Sequence, residues 1–320
     1  MLRRLPIYAA CVSYAAVLYA VWIALRASRL PATLGNQWSC AFASFALLLA
    51  PLWFFGFGLG EWLRKKLSSQ PAQVLAPALL GIPYLIFAAT RGVHWSLAVP
   101  MFGLPIVMAA LLASEPSAKM SWRDVVVLAA LIAVYMLRLF AAAWPYPGLA
   151  ALPKLYVTDL ALYLYVVVRR LDGMGYSLIP GADAIRIGLR EWLFFTPFGI
   201  GLGFALRFIH LHAGFPSPRR AAISLLGTFL LIAIPEEMFF RAILQNLLET
   251  RFERRAALVA AAILFGLAHF NKGAAFNWRY VLLAAIAGLF YGRAWRERRQ
   301  VLASAMTHTA VDVVWSLWFR

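Results

Sequence analysis

Acidic side chains are scarce in this sequence, which has 13 Asp and Glu residues among 320. Charged residues of both signs make up only 13% of the chain, whereas hydrophobic residues make up 63%. A soluble domain of this length could not bury that much apolar surface in one core. The composition therefore argues against a soluble protein and favours a chain that lipid covers over much of its surface.

Cysteine is also rare, and both Cys11 and Cys40 lie inside apolar runs. Their positions match neither the spacing of a zinc site nor a disulfide framework, so we interpret both as packing residues. The chain lacks low-complexity tracts and shows no internal repeat at a fixed period, which argues against a repeat architecture.

Long apolar runs, in contrast, recur along the whole chain. They are continuous and do not alternate with polar residues, which favours membrane-spanning helices over a transmembrane β-barrel. Runs of spanning length, separated by charge, proline and glycine, number about ten or eleven. The predicted fold is all-α, a polytopic transmembrane helical bundle.

Basic residues dominate the charge, with 30 Lys and Arg against 13 acids and a formal net charge of +17. In a soluble protein this excess would suggest nucleic acid, but basic loops that orient helices and contact anionic lipid explain it better here. An N-terminus in the cytoplasm places most of the Lys and Arg in cytoplasmic segments. We therefore predict a multi-pass protein of a plasma membrane, with a bacterial inner membrane the best fit, and membrane lipid but no nucleic acid as a partner.

A division near residue 170 is predicted from the longest polar connection, residues 169–190. Spans before it hold few polar groups, and spans after it hold most of the ionisable ones. Residues 1–170 are expected to form an N-terminal transmembrane region to which the sequence assigns no role, and residues 171–320 the part that carries chemistry.

Four acids fall inside predicted spans, namely Asp159, Glu236, Glu237 and Asp312. A charge at the centre of a bilayer costs about 2.5–3.5 kcal/mol even on the insertion scale, so each acid requires a reason. For Asp159 we predict a structural one, an ion pair with Arg138 in the preceding span.

The first polar motif in the C-terminal region is Pro235-Glu-Glu-Met-Phe-Phe-Arg241. On a helix Glu237 and Arg241 share a face and can pair, whereas Glu236 is rotated by about 100° from Glu237. This spacing predicts one glutamate that is held and one that is free to work. A purely structural charge cluster is the alternative.

Two further motifs contain histidine. His269 ends the run Phe265-Gly-Leu-Ala-His269, in which Gly266 would allow a close approach of helices. His308 and Asp312 share one helical face, where the acid could orient the imidazole and raise its basicity. The three motifs fall at a similar depth near the middle of the predicted bundle.

These motifs resemble those of the CPBP family of intramembrane proteases, also called the CAAX-protease and bacteriocin-processing family. The family patterns EExxxR, FxxxH and HxxxN or HxxxD read here Glu236-Glu237-xxx-Arg241, Phe265-xxx-His269 and His308-xxx-Asp312. Each motif alone is weak, but all three occur in order in late apolar segments. The resemblance covers roughly residues 180–320.

The resemblance implies hydrolysis of a peptide bond inside the membrane, on a membrane-associated or prenylated peptide or protein. Glu236 would activate water, His269 would help to hold that water, and His308 with Asp312 would stabilise the oxyanion or protonate the leaving amine. Glu237 and Arg241 would fix the motif. An ionised Asp312 cannot donate the hydrogen bond that the family's Asn donates, so we expect Asp312 to orient His308 or to stay protonated.

No cofactor is expected, because the family is described as glutamic-type and the chain has no HExxH motif. Glu236, His269 and His308 would be the ligands if the site held a divalent metal, which their donor types permit. Two other functions stay open. One is a non-catalytic binding, immunity or scaffold protein of the same family, and the other is a proton-coupled transporter.

Overall fold

The computed structural model describes residues 4–113, 118–212, 214–270, 272–273 and 276–319. Helices account for most of these residues, which contain no named strand and only one isolated bridge, between Leu211 and Phe319. The predicted all-α fold is confirmed. The chain forms two compact units: unit 1 is Met1–Ser117 with Ser121–Asp172, and unit 2 is Ala118–Met120 with Gly173–Arg320.

Unit 1 contains helices that are apolar and are interrupted by proline and glycine. A buried Trp144 and several buried tyrosines and phenylalanines form its core. The helices are α1 (Arg4–Arg26), α2 (Leu30–Leu34), α3 (Trp38–Gly56), α4 (Leu59–Lys66), α5 (Gln70–Leu75), α6 (Ile82–Ala88), α7 (Trp95–Ala113), α8 (Trp122–Met136) and α9 (Ala151–Tyr163).

A buried ion pair stabilises the start of α8. The Ser121 side chain accepts from the backbone of Asp124, and Asp124 accepts in return from the backbone of Ser121, which forms a capping box. The Nε of Arg169 also donates to Asp124 at 2.9 Å, with both side chains buried. The charges of Asp124 and Arg169, for which the sequence predicted no partners, thus neutralise each other.

The predicted ion pair between Asp159 and Arg138 is wrong. Asp159 is buried in α9, where it faces the backbone of Leu52 in α3. Arg138 lies in the turn after α8, at φ 53°, and is exposed. The turn ends the helix before Arg138 and directs its side chain outward, and among the ion pairs of the described residues none joins these two.

Unit 2 contains the second set of helices: α10 (Ala182–Ala205), α11 (Pro218–Thr228), α12 (Ile234–Glu237), α13 (Asn246–Leu248), α14 (Arg254–Leu267), α15 (Trp278–Arg298) and α16 (Val301–Trp318). Helix α15 packs against α14, α10 and α16, and α10 packs against α16. The three sequence motifs therefore lie on neighbouring elements of one unit.

Helices α11 to α13 form one continuous helical segment, Pro218–Leu248, which we call the motif helix. Two π-helical stretches, Phe229–Ala233 and Met238–Gln245, widen it on either side of α12. Pro235 has no N–H to donate and its ring crowds the carbonyl one turn earlier, so a wider turn before it relieves the contact. Glu236 and Glu237 thus lie in a short α-helical piece between two wide ones.

Small residues bring α14 and α15 close together. A Cβ at Gly266 would lie 2.6 Å from the carbonyl oxygen of Val281, and one at Gly288 would lie 3.2 Å from the Cα of Ala262. The predicted role of Gly266 in close helix packing is therefore confirmed.

Six helical segments of the described residues are long and apolar enough to cross a membrane: Ile7–Arg26, Leu30–Gly56, Gln70–Ala88, Trp95–Ala113, Pro147–Val168 and Pro218–Leu248. This agrees with a multi-pass membrane protein but gives fewer spans than the ten or eleven predicted. The difference lies partly in helices such as α15 and α16, which are long but include several polar residues, among them His308 and Asp312.

The connection into unit 2 contacts the turn between α15 and α16. The indole of Trp295 donates to the carbonyl of Met174 at 3.0 Å. The N–H of Val301 donates to the carbonyl of Gly175, also at 3.0 Å. Gly175 has φ 63°, and a Cβ there would lie 1.5 Å from the carbonyl oxygen of Arg299. Only glycine fits this position.

Gly175→Ala is expected to lower the thermal unfolding midpoint in lipid more than Gly173→Ala does. Both positions have positive φ, which costs a non-glycine residue about 1–2 kcal/mol. At Gly173 an added Cβ meets only the Asn246 side chain, at 3.6 Å, so that variant measures the backbone strain alone. Equal midpoints would contradict the packing of this loop on Arg299.

Candidate active site

Glu237 is completely buried and receives hydrogen bonds from three side chains. Its Oε2 accepts from the Nε of Arg241 at 3.0 Å and from the hydroxyl of Ser304, and its Oε1 accepts from the Nδ1 of His308 at 2.8 Å. The predicted pairing of Glu237 with Arg241 is confirmed. The hydrogen bond between Glu237 and His308, on α16, was not predicted, because it joins residues that are far apart in the sequence.

His308 is held between two aromatic rings as well as by Glu237. Its imidazole stacks on Tyr291, with ring centroids 4.6 Å apart and planes inclined by 15°. Phe265 meets it edge-on at 5.7 Å and also lies under the Arg241 guanidinium at 5.1 Å. The ring therefore has little freedom to rotate, and Nε2 is its remaining functional atom.

The Nε2 of His308 faces two further carboxylates. It lies 3.5 Å from the Oδ2 of Asp312 and 3.9 Å from the Oε2 of Glu236. Because Glu237 accepts at Nδ1, the Nδ1 position carries a proton, and a neutral imidazole would present a lone pair to both acids. A proton on Nε2 or on one of these two carboxyl groups would remove this mismatch and would give the site a proton that it can transfer.

The two adjacent glutamates differ in exposure. The side chain of Glu236 is 13% exposed, whereas that of Glu237 is 0% exposed. Glu236 interacts electrostatically with His269 and Lys272, on the segment that follows α14. The structure thus has the predicted arrangement of one glutamate held inside the protein and one that reaches the surface of the site.

His269 lies beyond the end of α14 and is buried. Its Nδ1 lies 2.9 Å from the carbonyl oxygen of Phe265, one turn earlier. Its ring is 4.9 Å from the rings of both Phe265 and Tyr280. A ring fixed in this way presents Nε2 as its second functional atom.

Asp312 is a more distant partner of His308 than the sequence suggests. We expected Asp312 to orient the imidazole, but Glu237 makes the shorter contact, at 2.8 Å against 3.5 Å. Asp312 is also 23% exposed. Its position by Nε2, and not behind the ring, places it among the groups that face the open side of the site.

A metal-binding arrangement was the alternative for Glu236, His269 and His308. Within the described ranges, no group of three or more His, Cys, Asp or Glu side chains is placed to hold a metal ion. One nitrogen of each histidine lies within hydrogen-bonding distance of a protein oxygen, which leaves the second nitrogen of each ring to face the site.

An apolar pocket adjoins this cluster in unit 2. It is a partly open cleft lined by residues of α10, α15 and α16. Tyr280, which contacts His269, and Val311, which precedes Asp312, lie in its wall. Its other lining includes Trp192, Phe195, Leu283, Ala287, Val314 and Trp315.

The sequence analysis missed several residues of this region. Ser304 and Tyr291 lie on α16 and α15 and reach the motif only through tertiary packing. Lys272 lies three residues after His269, and this short distance along the chain is the only feature of the sequence that could have linked it to the site. None of the three belongs to the motifs quoted above.

Residues 218–314 match the family model described as Rce1-like, type II CAAX prenyl endopeptidase Rce1-like. The match extends from the start of the motif helix into α16 and contains all six predicted site residues, which confirms the predicted resemblance for this segment. Searches of curated proteins and of solved structures found no match. The family match supports CAAX-type protease activity in a membrane, on peptide or protein substrates.

Proposed function

We propose that this protein is an intramembrane endopeptidase of the glutamic type, with Glu236 as the base that activates water. The observation that carries this proposal is the contrast between the adjacent glutamates. Glu237 is buried and holds Arg241, Ser304 and His308, while Glu236 is partly exposed and lies 3.9 Å from the Nε2 of His308.

In the first step a water molecule at Glu236 attacks the carbonyl carbon of the scissile peptide bond. The carboxylate accepts one proton from the water as the new C–O bond forms. His269, which interacts electrostatically with Glu236, helps to orient this water. The carbonyl oxygen of the substrate becomes negatively charged, so it needs a hydrogen-bond donor.

His308 is suited to supply that donor. Its Nδ1–H points at Glu237, which fixes the tautomer and the ring position, and its Nε2 faces the reacting groups. A proton on Nε2 stabilises the oxyanion or moves to the leaving nitrogen as the C–N bond breaks. Asp312, 3.5 Å from Nε2, favours a cationic imidazole at this point.

The substrate is proposed to be a membrane-associated or prenylated peptide. The site lies in a unit whose motif helix is apolar enough to span a membrane, and an apolar pocket adjoins it. A lipid-anchored or transmembrane segment could reach the site from the bilayer, and an apolar group could leave water for the pocket.

Cleavage of a panel of membrane-tethered and prenylated peptides by the purified protein in lipid tests this function. The wild type is expected to cut at least one peptide and to keep its activity in a chelator. His308→Gln is expected to be slower by about 10²–10⁴-fold, the typical contribution of general acid–base catalysis. Ser316→Ala, an exposed change on the same helix, serves as the matched control.

Each other outcome contradicts a part of the proposal. Loss of wild-type activity in chelator would show that the reaction needs a metal. Equal rates for His308→Gln and the wild type would show that the site is misassigned. If no peptide in the panel were cut, the non-catalytic binding protein would become the better interpretation.

A further inference from the structure

The arginines around the start of α14 and the end of α15 differ in whether an acid neutralises them. One group forms ion pairs with carboxylates of the same unit and consists of Arg186, Arg190, Arg293, Arg298 and Arg299. A second group, which we call the arginine patch, forms no ion pair within the described part of the chain and consists of Arg251, Arg254, Arg255 and Arg296. The charge of the arginine patch is therefore not balanced inside the protein.

Contacts with backbone carbonyls hold the arginine patch together. The Nη1 of Arg296 donates to the carbonyl of Arg254 at 3.3 Å, which joins the end of α15 to the start of α14. The Nε of Arg251 donates to the carbonyl of Met120 at 2.8 Å. These contacts fix the guanidinium groups but supply no negative charge. Glu253, the one acid among residues 251–255, is exposed and forms no ion pair with them among the described residues.

An exposed apolar stripe continues from the arginine patch along α14. Arg255 is followed at intervals of four residues by Val259, Ile263 and Leu267, each about half exposed, and residues at this spacing share one side of a helix. At about 1.5 Å per residue the stripe is about 18 Å long, close to one leaflet of the hydrocarbon core, which is half of about 30 Å. The stripe thus matches the length of one acyl chain in its leaflet.

We propose that the arginine patch and the apolar stripe of α14 together bind one anionic phospholipid. The phosphate of the lipid contacts the guanidinium groups, which present paired N–H donors that suit phosphate oxygens, and an acyl chain lies against the stripe. A general attraction between basic residues and an anionic membrane would act at every arginine of this surface. The proposed site, in contrast, lies only where no acid neutralises the arginines.

Charge and polarity together select this ligand. A zwitterionic lipid carries its own cation next to the phosphate, which would meet the like charge of the arginine patch. Free phosphate or an acidic protein segment would neutralise the arginine patch but would leave the apolar stripe uncovered. An anionic phospholipid satisfies both parts. The proposal does not depend on the protease function, because it uses no residue of the candidate active site.

The test measures displacement of fluorescent phosphatidylglycerol from the purified protein in zwitterionic detergent micelles. Unlabelled phosphatidylglycerol is expected to compete at a concentration at least about tenfold lower than phosphatidylcholine does. One arginine next to a lipid charge changes affinity by about fivefold, so Arg254→Gln/Arg255→Gln is expected to weaken binding by about 25-fold. Arg254→Lys/Arg255→Lys, which keeps both charges, is expected to retain most of the binding.

A matched control removes two charges from the same unit at arginines that an acid does neutralise. Arg186 and Arg298 both pair with Asp183, so Arg186→Gln/Arg298→Gln is expected to change the affinity by less than about twofold. Equal losses in the two Gln variants would show a general attraction to net charge and would overturn the site. Equal competition by phosphatidylglycerol and phosphatidylcholine would overturn it as well.

Soluble competitors separate the lipid from the other sources of negative charge. Glycerol phosphate and inorganic phosphate have no acyl chain and are expected to leave the probe bound at a hundredfold higher concentration than phosphatidylglycerol. Displacement at the same concentration would show that phosphate alone is the ligand. A peptide of eight glutamates that displaced the probe more strongly than phosphatidylglycerol would assign the arginine patch to an acidic protein segment. Either result would overturn the assignment to a phospholipid.

Discussion

Glu236→Gln is expected to lower the rate of peptide cleavage by about 10²–10⁴-fold, because an amide cannot accept the proton of the attacking water. The protein should remain as stable as the wild type. Glu236 is partly exposed, and it is the neighbouring Glu237 that forms the buried ion pair with Arg241.

Rates from the lipid-embedded protein, together with thermal unfolding of the same samples, measure both parts of this prediction. An active Glu236→Gln variant would exclude Glu236 as the base. An inactive but unfolded variant would show that Glu236 holds the structure, against its observed exposure.

Glu237→Gln is expected to behave differently, although it is the adjacent residue and undergoes the same chemical change. It leaves the guanidinium of Arg241 buried with no opposite charge, and removal of one partner of a buried pair costs about 3–5 kcal/mol. The Nη1 and Nη2 atoms of Arg241 already have no hydrogen-bond partner among the described residues, so little else can compensate. Activity should fall as well, because His308 loses the acceptor that fixes it.

A double variant tests this explanation of the loss of stability. Arg241→Met in the Glu237→Gln background removes the uncompensated charge and should recover part of the unfolding midpoint, but it should not restore cleavage. If the double variant were less stable than Glu237→Gln alone, the ion pair would not be the cause. Unfolding in lipid, followed by tryptophan fluorescence, provides the measurement.

The sequence predicted those features of the site that depend on local spacing. Glu237 and Arg241 are four residues apart and do pair, and Glu236, rotated away from them, is the more exposed glutamate. The helical, multi-pass character followed from long apolar runs. These predictions hold because helical geometry relates nearby residues whatever surrounds them.

The features that the sequence did not reveal depend on contacts between distant segments. The partner that holds His308 is Glu237, which is 71 positions away in the sequence, and not Asp312 on the same helix. No periodicity within α16 could identify that partner. The pairing of Asp159 with Arg138 failed for a related reason, since a turn with positive φ ends α8 and leaves Arg138 exposed.

The span count shows a further limit of composition. Polar residues of a site lower the mean hydropathy of the helices that carry them. For this reason α16 is not among the apolar spans, although it is 18 residues long. Apolar length identifies the helices that face lipid more reliably than it identifies those that line a site.

The two π-helical stretches around Glu236 and Glu237 make the register of the motif helix sensitive to its length. A π turn contains one more residue than an α turn, and such turns are often found at functional sites. Loss of a single residue from Met238–Gln245 would return one turn of that stretch to the narrower α-helix and would change which side chains of the turn face Glu237. Natural variation in this stretch should therefore be by substitution, while insertions and deletions collect in the loops outside it.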